Sequence, residues 1–263
     1  MNRQDRKGYK VNVPPTQAHF YYPQGLVYHP QLHSLFVADS LNKSVKQIDE
    51  KQGVVTQLVK LEARPHFLTL VGDDLFISCW WPHVIKKVNI HSRKVIVIAG
   101  QYEAGYCDGD GKIAKFNEPR GLTFDSLSNS LIVADSLNHC IRRISLNPED
   151  NYKVTTIAGI PKQEGYQDGP SLQALFSSPS GVAIDEEGGI IVVDTCNHCI
   201  RRITPDGKEV TTIAGLSEKY GFKDGDSSVA LFFSPYHVTT DPIRHCLYIS
   251  DCDENRVRQV ITP

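Results

Sequence analysis

Long apolar runs are absent from these 263 residues. No stretch approaches the roughly 20 residues that a bilayer-spanning helix needs, so no membrane partner is expected. The N-terminus, MNRQDRKGYKVNV, carries charges but no apolar segment, and the expectation is no export signal and a cytoplasmic location. A dominant charge sign is missing too. Lys and Arg number 28 against 30 Asp and Glu, a formal net charge of −2, which argues against nucleic-acid binding by overall charge and leaves only a local basic patch. The seven cysteines are an odd set, read as reduced thiols rather than a disulfide framework. No segment places apolar residues at i, i+3 and i+4 over a useful length, so helices are not expected.

What the sequence does contain is one phrase, repeated. ADSLNHCIRRI at 134–144 returns as VDTCNHCIRRI at 193–203 and as ADSLNKSVKQI at 38–48; SCWWPHVIKKV at 78–88 is an altered copy. Each copy follows a Pro-x-Gly strand (PQGLVY, PRGLTF, PSGVAI, with PHFLTL and PYHVTT as variants) and an apolar run ending in Asp. Most are followed by a run such as VTTIAG. The Asp position falls at Asp39, Cys79, Asp135, Asp194 and Asp251, in steps of 40, 56, 59 and 57 residues, a period that fits radial four-stranded blades. The strands are short, β-branched and bounded by Gly, Pro, Asp and Asn. The expected fold is an all-β propeller.

The longer steps come from one inserted loop, GYCDGDGKIAKF, GYQDGPSLQALF and GFKDGDSSVALF at 105–116, 165–176 and 221–232. Its Asp-Gly pairs suit turns with positive φ, and its Ala and Phe are expected to plug the space between blades. Only the first loop reads DGDG, and none carries the terminal Glu of a calcium loop, so a structural turn is the preferred reading.

The last copy, RVRQVITP, has no fourth strand after it. Residues 17–25, QAHFYYPQG, align with 173–181, QALFSSPSG, so the chain starts on the tail of a repeat, and GYKVNV at 8–13 is the expected closing strand. That gives a flexible segment at 1–7 and a single domain over 8–263, with five blades closed by the N-terminal strand. A six-bladed parent is the alternative.

These residues resemble NHL repeats, whose pattern runs Val-x-Asp-[Thr/Ser]-x-Asn-His, Ile-Arg-[Arg/Lys]-Ile, Val-Thr-Thr-Ile-Ala-Gly and Gly-[Tyr/Phe]-x-Asp-Gly. The likeness is fullest over 131–159 and 190–215 and covers the chain from about residue 8. It implies a propeller that acts as a recognition module, though family members usually close with six blades.

A residue doing the same job in every blade is architectural before it is catalytic. Asp39, Asp135, Asp194 and Asp251 are therefore read as turn residues. Cys196 and Cys199 match C-x-x-C, but no second such pair completes a zinc site, and His139 and His198 are turn histidines. Arg142, Arg143, Arg201 and Arg202 recur with Lys86, Lys87, Lys46 and Arg258. One basic residue per blade is expected between blades and paired with acids while another faces outward, and a basic face for RNA built from the outward set is the other reading. Individuality sits where the repeat breaks. The residue between Pro and Gly is Gln24, His66, Arg120, Ser180 or Tyr236, and the Gly itself becomes Phe67 and His237 in two copies. His66, Arg120, Tyr236 and His237 should line the mouth of the central channel, the best pocket on offer. Trp80 and Trp81 are either an anchor for a partner or filler for a blade without the long loop.

With no nucleophile–base motif in view, the expected function is a non-catalytic scaffold binding a protein or peptide at the channel mouth, as a monomer, without cofactor or metal. A metal-dependent lyase or hydrolase is the alternative that the resemblance also implies; it would draw on His66 and His237, two ligands where a catalytic zinc normally has three.

Overall fold

The computed structural model describes residues 10–217 and 219–261. The segment 1–7 lies outside them. Five antiparallel sheets follow one another around a common axis, each running outward from its first strand. The first blade holds β1 (Pro23–His29), β2 (Ser34–Asp39), β3 (Ser44–Asp49) and β4 (Val54–Lys60). The second holds β5 (Arg64–Val71), β6 (Asp74–Trp81), β7 (Val84–Asn89) and β8 (Val95–Gly100). The third holds β9 (Pro119–Asp125), β10 (Ser130–Asp135), β11 (Cys140–Ser145) and β12 (Val154–Ala158). The fourth adds a two-residue strand, β13 (Gly169–Pro170), to β14 (Pro179–Ile184), β15 (Ile190–Asp194), β16 (Cys199–Ile203) and β17 (Glu209–Ala214). The fifth has β18 (Pro235–Asp241), β19 (Cys246–Asp251) and β20 (Arg256–Ile261).

The continuous apolar runs follow from burial on both faces. In β15, Ile190 and Val192 join the core against the third blade, while Ile191 and Val193 join the core against the fifth. The loop plugs behave as expected: Phe116, Phe176 and Phe232 are all but fully buried in successive interblade cores. Close approach of the inner strands requires small residues. A Cβ on Gly181 would stand 2.9 Å from the Cα of His237, so β14 and β18 could not pack with a larger residue there.

The repeated Asp is a bolt rather than a local cap. Its Oδ1 accepts the backbone N–H of the residue just before its own blade's entry, from Asn117 to Asp135 and from Ser177 to Asp194, both at 2.8 Å. Its Oδ2 accepts from the turn Asn and from the buried cation of β11 or β16: Arg142 lies 2.6 Å from Asp135, and Arg201 2.8 Å from Asp194. The same guanidinium reaches an inserted-loop acid, Asp108 or Asp168. Arg142 and Arg201 are fully buried, so one basic residue of each strand pairs inward; the neighbouring Arg202 pairs with Asp185 and Glu187. In the first blade Lys46 plays the part, with Asp39 at 2.6 Å and the carbonyl of His19.

One expectation fails. The described N-terminal residues do not close the last blade: Asn12 and Val13 bond to Val55 of β4, in the first blade, while Gly8 and Tyr9 of the expected strand lie outside the described residues. The reason lies in the repeat. Val13 pairs with Val55 as Gly109 pairs with Val154 and Gly169 with Val210. Residues 10–20 are thus the first blade's version of the inserted loop, not a fourth strand. The fifth sheet has three strands, and four interblade cores serve five blades; among the described residues none joins the fifth blade to the first.

Candidate functional site

All six candidate residues lie at one end of the propeller, where the second strands finish and the first strands begin. Four meet on the axis despite the absent N-terminal closure. His66 Nε2 and the Tyr236 hydroxyl share a hydrogen bond at 2.9 Å. Phe67, in the place three other blades keep for Gly, stacks on His237, which takes the same place in the fifth, with ring centroids 4.6 Å apart, and lies edge-on to His66 at 4.7 Å. The Arg120 guanidinium sits 5.7 Å from the Tyr236 ring centre and pairs with Glu118 at 3.2 Å. The second and fifth blades therefore touch directly across the hub. Phe67, whose replacement of Gly was visible in the sequence but was not counted as a site residue, fills the space expected to be a channel mouth.

Electrostatics keeps these imidazoles neutral. Burial, helped by the nearby Arg120 charge, pushes the His66 pKa down to about 3; burial lowers His237 to about 4. Burial also raises the Tyr236 phenol, against the pull of Arg120. The turn histidines have a separate task. Nδ1 of His83, His139 and His198 accepts the backbone N–H of Glu118, Ser178 and Ser234, each at 3.1 Å, tying each turn to the entry of the next blade. Each lies in the left-handed region and has its pKa lowered by burial, as an accepting Nδ1 requires.

The two tryptophans sit beside the hub. Trp80 is half-buried with Arg64 over its ring at 5.1 Å; Trp81 is 47% exposed with Lys43 at 5.5 Å. One indole is thus part filler and the other presents its surface. Tyr22, 65% exposed, lies close enough to Tyr236 to influence its titration. Lys43 and Tyr22 escaped the sequence reading because their neighbours in space, Trp81 and Tyr236, come from other blades. The rim can offer stacking surfaces, a guanidinium and phenol hydroxyls to a ligand. Ser78, which accepts the Phe67 N–H at 3.1 Å and donates to the Arg120 carbonyl, stitches the inner strands beneath.

At the opposite end, between the fourth and fifth blades, lies a cavity of about 470 Å³. Its charges pair with one another: Arg202 with Asp185 and Glu187, His245 with Glu186.

The NHL-repeat family model matches residues 176–203. Human NHL repeat-containing protein 2 is 29% identical over 217 residues, covering 81% of this chain and 25% of that protein. The chain thus spans about a quarter of the length of the curated relatives it matches. Among solved structures, a nidogen/laminin complex superposes with a TM-score of 0.66 at 16% identity, covering 92% of this chain and 76% of that one. A catalytically inactive virginiamycin B lyase from Staphylococcus aureus with quinupristin gives 0.60 at 15% identity, covering 96% and 73%. At these identities the structures share the fold alone. No helix among the described residues is long and apolar enough to cross a membrane.

Proposed function

The chain is an NHL-repeat β-propeller, and from that premise we propose that it is a non-catalytic recognition module binding a protein or peptide partner on the rim of its hub. The observation that carries the reading is the exposed Trp81 beside Trp80, on the same rim as Arg120 and Tyr236. Aromatic and Arg side chains dominate binding energy where they can be buried by a partner. A fold neighbour solved as a nidogen/laminin complex supports protein binding. The lyase-type alternative has less support, because Phe67 lies against both hub histidines and separates them from a shared open space. A monomer in the cytoplasm completes the proposal; the seven free thiols support the reducing compartment.

The test is selection of displayed peptides on the immobilised chain, followed by affinity measurement on variants. Trp81→Ala and Arg120→Ala should each weaken selected peptides at least about tenfold, a typical hot-spot loss. Ile243→Ala, at the opposite end and 87% exposed, should change nothing. Peptides indifferent to both rim substitutions would remove the proposal.

A further inference from the structure

The third and fourth blades show how an outer strand is held. In the fourth, Asp168 accepts the backbone N–H of Thr212 at 3.0 Å and its hydroxyl at 3.2 Å, while Arg201 fixes the carboxylate from behind. Tyr166 bonds the same hydroxyl at 2.8 Å, and Gly169 pairs with Val210. The third blade repeats this with Asp108, Arg142, Tyr106, Thr156 and the Gly109–Val154 pair. Both outer strands read Val-Thr-Thr-Ile-Ala-Gly, at 154–159 and 210–215.

The fifth blade has the holder without the strand. Arg258 bonds Asp224 at 2.8 Å, Asp251 at 3.1 Å and the carbonyls of Lys223 and Leu231 at 2.9 Å, the arrangement of its counterparts. Phe222 stands where Tyr106 and Tyr166 stand and lies 4.9 Å from the Arg258 guanidinium. Asp224 is 77% exposed, against 38% and 40% for Asp108 and Asp168, because no threonine covers it. The outer edge of β20 pairs with no strand among the described residues.

We propose that this edge is a docking slot for an extended segment of a partner polypeptide with the pattern Val-Thr-Thr-Ile-Ala, added antiparallel to β20. Its second threonine would give its N–H and hydroxyl to Asp224, in the register Thr212 takes against Arg201, and its valine would face Val260 as Val210 faces Ile203. The chain's own segments of this pattern are already β12 and β17, so a second folded copy has none to lend. The missing phenol at Phe222 leaves Asp224 as the side chain that recognises the threonine.

The probe is a fluorescent peptide with the sequence of 209–215, EVTTIAG, titrated with the full chain and followed by anisotropy. Saturable binding is expected. It should weaken at least about tenfold, the equivalent of about 1.4 kcal/mol, when the second threonine of the peptide becomes valine, and equally in Asp224→Ala. Asp224→Ala alters an exposed side chain, and an unchanged melting temperature would show that the variant is folded. Trp81→Ala should bind the probe as the parent does, which separates this slot from the rim. No binding up to the solubility limit, or binding indifferent to both the threonine and Asp224, would overturn the proposal.

Discussion

The fourth and fifth blades are built from nearly the same phrase, yet one is sealed on every side and the other is not. Ile200 is fully buried against the fifth blade; its counterpart Val257 is 74% exposed. Asp168 holds an outer strand, and Asp224 faces solvent. Both blades nevertheless keep the Asp that ends β15 or β19, the buried Arg and the loop plug. The bolt therefore belongs to a blade and its preceding loop, and does not depend on what packs next. The hub is held from within: inner strands dock pairwise from β1 to β18, and Phe67 bridges to the fifth blade across the axis.

The largest effect should come from the buried cation. Arg201→Met strands Asp194 in the core and is expected to cost about 3–5 kcal/mol in denaturant unfolding. Arg258→Met should cost less than about half of that, since one of its two carboxylates is solvated. Equal losses would mean that the fifth blade is as sealed as the fourth. Next, Ile200→Ala should lose about 2–4 kcal/mol and Val257→Ala less than about 0.5 kcal/mol. A large loss at Val257 would reveal a cover over the exposed face.

The third effect depends on pH. His66 is neutral in the fold, with its pKa lowered to about 3, whereas an unfolded histidine titrates near 6.5. Below that value the unfolded chain binds the extra proton, so stability is full above about pH 6.5 and falls with acidification. From pH 7 to pH 5 His66 alone should account for about 2 kcal/mol, and the turn histidines act in the same direction. His66→Gln should flatten the pH dependence of urea midpoints; an unaltered slope would contradict a neutral buried imidazole. The smallest effect is at the strand that fills the fourth blade's slot. Thr212→Val keeps the shape and removes the hydroxyl bonds to Asp168 and Tyr166, for about 1 kcal/mol in thermal unfolding.

Blade boundaries and plugs were legible in the sequence because alternating apolar residues and fixed Asp, Asn and Gly positions report local geometry. That one basic residue per blade pairs inward was legible from strand alternation; that Arg142 and Arg201, rather than Arg143 and Arg202, take that side was not. Closure was misread because GYKVNV looks like a strand, whereas its role is set by register. The alignment of 17–25 with 173–181, carried back a few residues, puts Asn12 opposite Asp168 and so in the loop. The hub residues could be named from broken repeat positions. That Phe67 would stack on His237 could not, since it depends on how two non-adjacent blades meet.

Amide hydrogen exchange across the two blades tests the central comparison most directly. Buried strand amides paired on both sides should exchange only with global unfolding, and an open edge should exchange locally. The prediction is strong protection throughout β16, between β15 and β17, with fast exchange at alternate amides of β20. Equal protection of β20 and β16 in the isolated protein would show that the edge is already covered, and would contradict the account of the fifth blade as an unfilled copy of the fourth.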